Sequence, residues 1–151
     1  MLKLGKLADY ATTLMTALAA DPDKVASAQE LAARTHVAPP TVAKLLKLLT
    51  KAGLVEATRG AQGGYRLAKA AHAITVMDVI AAIEGPISLT QCATHKGGCA
   101  IEPHCGTRSN WRLINQVVRS ALASVSLAQM AEPLRRSHPE FPLVPRAAMV
   151  R

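Results

Sequence analysis

Apolar residues at Leu4, Leu7, Ala8, Ala11, Leu14, Met15 and Leu18 recur in steps of three and four, one face of an amphipathic helix that ends near Asp21-Pro22. Ser27 followed by Glu30 is a capping-box pair, and it opens a short helix over Ala28 to Arg34 with Leu31 and Ala32 on its inner side. Val37-Ala38-Pro39-Pro40 interrupts the pattern. Thr41 to Lys51 then resumes it, with Val42, Leu45, Leu46 and Leu49 inward, Lys44, Lys47 and Lys51 elsewhere, and Gly53 as the closing residue. Two short extended runs, Leu54 to Thr58 and Tyr65 to Leu67, flank the turn-rich stretch Arg59-Gly60-Ala61-Gln62-Gly63-Gly64 and predict a β-hairpin.

A fourth helix is expected over Thr75 to Glu84, with Val76, Val79, Ile80 and Ile83 apolar, stopped by Gly85-Pro86. The stretch from Ile87 to Ser109 has little periodicity. Leu113, Ile114, Val117, Val118, Ala121, Leu122, Val125 and Leu127 then mark a continuous helix from Asn110 to Met130. A helix this apolar on one side, placed after an otherwise complete small domain, needs a covering surface. A second copy across a two-fold axis supplies one, and the chain's own core is the alternative. Pro133, Pro139, Pro142 and Pro145 make the tail irregular.

The chain thus reads as mainly α: a winged helix-turn-helix DNA-binding domain over 1–72 with a small β-hairpin wing, a helix, cysteine loop and long C-terminal dimerisation helix over 73–132, and an irregular tail over 133–151. With 151 residues, half of them hydrophobic, it can bury a core unaided, and one Trp, two Tyr and one Phe leave that core to aliphatic side chains. No apolar run is long enough for a signal segment or a membrane span, so a cytoplasmic protein without a membrane partner is expected.

Eighteen Lys and Arg against ten Asp and Glu give a net charge of +8. The excess is uneven. Residues 1–72 hold ten basic and five acidic side chains, whereas residues 73–109 hold two and three. The first block is therefore the candidate polyanion-binding unit. Two short helices joined by a tight turn, the second with a basic face and followed directly by a hairpin, form a helix-turn-helix with a wing, in which the second helix enters the major groove of double-stranded DNA. On that reading Lys44, Lys47 and Arg66 meet phosphates, Thr41 and Arg59 reach base edges or the minor groove, and Gly63 and Gly64 allow close backbone approach.

Cys92, Cys99 and Cys105 lie within fourteen positions, in spacing Cys-x6-Cys-x5-Cys. In a reducing compartment such crowding points to metal or redox chemistry rather than to a disulfide. The spacing is not that of a zinc ribbon, whose cysteines come in close pairs. Gly97, Gly98 and Gly106 beside the thiols let the backbone curl around a bulky inorganic core, as an iron–sulfur cluster requires. His95 and His104 stand in the same stretch, so zinc held by three cysteines and one histidine remains the rival, with inert thiols a third possibility. No acid-base pair, nucleophile constellation or phosphate-cradling loop is present, and no enzyme is expected.

Over about residues 1 to 132 the pattern resembles the IscR-like and NsrR-like family of winged-helix iron–sulfur regulators, with its closest likeness to the branch controlling the SUF assembly system. The resemblance rests on Lys6-Leu7-Ala8-Asp9-Tyr10-Ala11-Thr12, on Gly60-Ala61-Gln62-Gly63-Gly64-Tyr65-Arg66-Leu67 and on the cysteine stretch running into Arg108-Ser109-Asn110-Trp111-Arg112. It implies a homodimeric repressor whose 2Fe–2S or 4Fe–4S cluster is bound by Cys92, Cys99 and Cys105 and whose DNA affinity follows cluster state. The IscR-like branch has a ligating histidine three positions beyond the last cysteine, where this chain has Arg108, which cannot ligate as a cation. The NsrR-like branch takes its fourth ligand from an aspartate of the first helix of the other subunit. Asp9 falls at that place, with an exposed carboxylate or an intersubunit ion pair as its alternative roles.

Overall fold

The computed structural model describes residues 4–90, 99–100 and 104–132 of the chain. The irregular tail expected over 133–151, Cys92 and His95 lie outside the described residues. Three helices come first: α1 (Lys6–Ala20), α2 (Ala28–Thr35) and α3 (Pro39–Lys51). The capping box at Ser27 is formed in full. The Ser27 hydroxyl accepts the Glu30 N–H at 3.2 Å, and the Glu30 carboxylate accepts the Ser27 N–H at 2.7 Å. That backbone bond, more than any other influence, holds the Glu30 carboxyl below its usual range.

Helix α3 begins two residues earlier than its hydropathy suggests, because Pro39 and Pro40 occupy its first turn instead of ending the preceding segment. Proline has no N–H to leave unsatisfied at a helix start, and its fixed φ suits the first turn. The far end closes as expected around Gly53, whose φ of +70° permits the Leu54 N–H to reach Leu49 O and the Gly53 N–H to reach Thr50 O, a Schellman closure.

Strands β1 (Val55–Thr58) and β2 (Gly64–Leu67) pair antiparallel, Val55 with Leu67 and Glu56 with Arg66. The hairpin is stitched to the segment before α2 by two further bonds, Ala26 N–H to Tyr65 O at 3.0 Å and Tyr65 N–H to Ala26 O at 2.8 Å. Gly64 makes this possible, since a Cβ there would sit 2.6 Å from Ala26 O. A 3-10 turn (Ala71–Ala73) leads to α4 (Val76–Glu84), whose N-terminus carries another capping box, Thr75 with Asp78.

The long C-terminal helix is not continuous. It is divided into α5 (Arg108–Ala123) and α6 (Leu127–Ala131), with Ser126 capping the second piece through Gln129. The break exists because the chain there returns to the core. Val76 N–H bonds Val125 O, Leu127 N–H bonds Ile74 O, both at 2.9 Å, and Thr75 pairs with Ser126 as a β-bridge. Leu127 is fully buried with Leu14, Met15, Leu45, Leu49, Ile74 and Val79 in one core, so this part of the predicted dimer helix belongs to the subunit's own interior. Helix α1 packs on both α4 and α6, while α5 packs on α4.

The result is the expected architecture, mainly helical with a two-stranded antiparallel wing. No helix among the described residues is long and apolar enough to cross a membrane.

Two outcomes follow. Leu127→Ala, which empties a fully buried site, should lower unfolding free energy by about 2–5 kcal/mol, whereas Met130→Ala on the exposed side of the same helix should change it little; denaturant unfolding compares them. Gly64→Ala should cost about 1–3 kcal/mol through overpacking and speed hydrogen exchange of the Tyr65 amide, and an unchanged exchange rate would show that the wing is not anchored through Ala26.

Candidate nucleic-acid interface and metal centre

Helix α3 turns one face into the core through Val42, Leu45, Leu46 and Leu49 and leaves the other to solvent. The exposed face carries Ala43, Lys44, Lys47 and Lys51, with Thr41 half-buried at its start. Lys44 and Lys47 are three apart and so neighbours on the helix surface, as a phosphate-contacting pair requires. His36 ends α2 in the left-handed conformation at φ 55°, a geometry more readily adopted by His, Asn and Asp than by most side chains, and it sets the turn between α2 and α3. Arg34 fixes α2 against α1 by donating to Ala17 O at 2.9 Å and to the Asp21 carboxylate at 3.0 Å.

On the wing, Arg59 is exposed at the start of the turn. Arg66 is on the outer face of β2 and ion-paired to Glu56 directly across the ladder. Gly63 and Gly64 carry an intramolecular duty beside any approach to DNA: a Cβ on Gly63 would lie 2.3 Å from Thr58 O, so the turn closes only with glycine there. Glu56 is absent from the sequence-derived set of wing residues. Its signal is its register opposite Arg66, which becomes visible only once the turn length is known.

Cys99 and Cys105 are both partly accessible free thiols. Cys105 stands just ahead of α5, and its sulfur is 3.4 Å from the Thr107 hydroxyl. That hydroxyl foremost, then the backbone N–H groups of Thr107 and Arg108 and the Arg108 charge, holds the thiol below its ordinary range despite the opposing effect of desolvation. A thiol so placed favours the thiolate, the form that binds metal. Among the described residues no three His, Cys, Asp or Glu side chains converge. His104 is exposed. Asp9 lies in the first turn of α1 with its side chain in solvent.

That turn is nonetheless close to the root of the cysteine stretch. Gly5, which begins α1, lies against the carboxyl group of Glu84 at the end of α4; a Cβ on Gly5 would come within 3.2 Å of the Glu84 carboxyl carbon. On the return side, Asn115 of α5 is buried at 7% exposure and its side-chain oxygen accepts the Leu89 N–H at 3.2 Å. This polar tie between the entry to the cysteine stretch and α5 escapes a hydropathy reading, because Asn115 interrupts the apolar pattern instead of continuing it.

The outer side of α5 is uncovered. Leu113 is 63% exposed, Ile114 44% and Val117 43%.

Residues 4–133 match the Rrf2 family, described as iron-dependent transcriptional regulators. The chain is 33% identical over 131 residues to the HTH-type transcriptional regulator IscR of Vibrio campbellii, covering 85% of this chain and 77% of that protein. Among solved structures, T. potens IscR superposes with a TM-score of 0.66 at 31% identity, covering 85% of each chain. CymR of B. subtilis, a global cysteine regulator, does so with 0.70 at 32%, covering 87% of this chain and 97% of that one. These relatives are transcriptional regulators and not enzymes, and their fold is the one described above. The chain belongs to the Rrf2 family of winged-helix, DNA-binding transcriptional regulators.

Proposed function

We propose that this protein is a homodimeric regulator whose DNA affinity reports the state of an iron–sulfur cluster, and that it represses genes for cluster assembly of the SUF type. The observation that carries the reading is the position of Cys105. A thiolate-favouring cysteine stands at the start of α5, the one helix with a broad uncovered apolar face among the described residues. The thiol thereby precedes by three residues the helix that carries the exposed stripe.

The donor set suits a thiophilic group: Cys99 and Cys105 are accessible, and Cys92 precedes Cys99 by seven positions. Cys92, Cys99 and Cys105 would hold it, with Asp9 of a second copy as the fourth donor. A carboxylate is a harder ligand than thiolate and leaves more readily. A 2Fe–2S or 4Fe–4S cluster bound there supplies sensitivity to iron, oxygen or redox conditions. The protein's part is mechanical. Gathering three thiolates on one centre draws the beginning of α5 toward the end of α4, and α5 carries the second copy, so the separation of the two α3 helices and the two wings follows the state of the loop. Coupling of about 1–3 kcal/mol changes DNA affinity by about 5- to 150-fold. Lys44, Lys47 and Arg66 would contact phosphates, and Thr41 and Arg59 bases, with Gly63 and Gly64 letting the wing backbone approach the duplex.

Zinc is the second reading, favoured by His104 standing beside Cys105.

Anaerobically prepared protein should be brown and contain iron with sulfide, and a Cys92→Ala, Cys99→Ala, Cys105→Ala variant should be colourless; one zinc per chain without sulfide would establish the second reading instead. DNA binding by parent and variant should diverge under iron-replete conditions, and identical binding isotherms would defeat the sensing role. Val117→Asp, which places a charge on the exposed stripe, should convert a dimer to a monomer in sedimentation and weaken duplex binding by at least about tenfold, since one half-site contact is lost.

A further inference from the structure

We propose that Glu56 is a charge brake on the wing, offsetting Arg66 so that this arginine positions the hairpin on DNA while adding less sequence-independent affinity than an unpaired arginine would. The proposal rests on the reading that Arg66 meets phosphate. The pair is built into the ladder: Glu56 and Arg66 are direct cross-strand partners, and both are about half exposed, at 46% and 52% of their side chains. The contact is made through Nε of the guanidinium. It therefore uses the inner edge of the fork and leaves the terminal nitrogens, four N–H donors by the chemistry of the group, for another acceptor.

Such an arrangement separates two things an arginine normally delivers together. Its donor geometry remains directed and available, while its charge is offset in part by the carboxylate beside it. Sequence-independent DNA binding is governed by the charge, through counterion release from the phosphates. Orientation of the protein on the duplex is governed by the hydrogen bonds. Asp23, Lys69 and His72 line the same groove as the pair. Among the described residues, Arg59 at the turn makes no ion pair. A regulator that must find few sites among many benefits from low background binding, because occupancy depends on the ratio of specific to non-specific affinity.

The test uses the full chain and a fluorescently labelled mixed-sequence DNA duplex, with anisotropy read between about 50 and 200 mM salt. Glu56→Gln keeps an acceptor for Nε and removes only the charge. It should tighten duplex binding about two- to fivefold, the equivalent of an exposed ion pair's strength, and steepen the dependence of log affinity on log salt by about 0.9, one phosphate's worth. Arg66→Gln should weaken binding and flatten that slope. In the Arg66→Gln background, Glu56→Gln should recover less than half of its single-variant gain. Equal gains in both backgrounds would mean that the carboxylate merely repels DNA, and weaker binding by Glu56→Gln would make it a positioning residue; either result overturns the brake. If Arg66→Gln binds as the parent does, the phosphate assignment itself fails and the proposal with it. A gain for Glu56→Gln that is lost with Arg66 is the one pattern that sustains it.

Discussion

Two hydrogen bonds at the base of one excursion hold the rest of the structure to its form. Val76 donates to Val125 O and Leu127 donates to Ile74 O, so the segment that begins with α4, which itself buries Val79 in the core, starts and ends at adjacent points. Everything between, α4, the cysteine stretch and α5, is a closed loop of about fifty residues whose ends are fixed by Ile74 and Leu127, both at 0% exposure. Such closure holds only if the anchoring side chains are well buried, because the backbone bonds alone contribute about 1 kcal/mol each. The core supplies that burial through the α1 ridge of Leu14 and Met15.

The two helices of this segment differ in length. At 1.5 Å per residue, the nine residues of α4 span roughly 14 Å and the sixteen of α5 roughly 24 Å. Anchored at a common base, α5 outruns its support. Asn115 ties it to Leu89 part of the way along, and Leu113, Ile114 and Val117 are exposed. A stripe of this kind is what a second copy would cover. Cys105 stands three residues ahead of the same helix.

The DNA-reading end is organised by close backbone packing more than by charge. Gly63 and Gly64 lie where a Cβ would strike Thr58 O and Ala26 O, so the wing's shape depends on them whether or not DNA is present. The family-like glycine pattern therefore signals first a tightly closed hairpin pinned at Ala26 to the segment before α2. Basic side chains then act on a rigid frame.

Local order was determined by the sequence on its own. The α1 and α3 core faces, the capping box at Ser27, the Gly53 closure and the hairpin are set by interactions within a few residues, where periodicity, caps and turn chemistry decide the outcome. The cysteine cluster and the basic face of α3 were visible as composition in short segments. What only the tertiary structure decided are meetings between distant parts of the chain. The C-terminal helix breaks at residues 124–126 because Ile74 and Leu127 must pair, and a continuous apolar pattern cannot show that one part of it faces inward and another outward. Asn115 reaching Leu89 and Glu56 facing Arg66 are of the same kind. Hydrophobic spacing reports which residues avoid water, whereas partner choice depends on where the fold brings their neighbours.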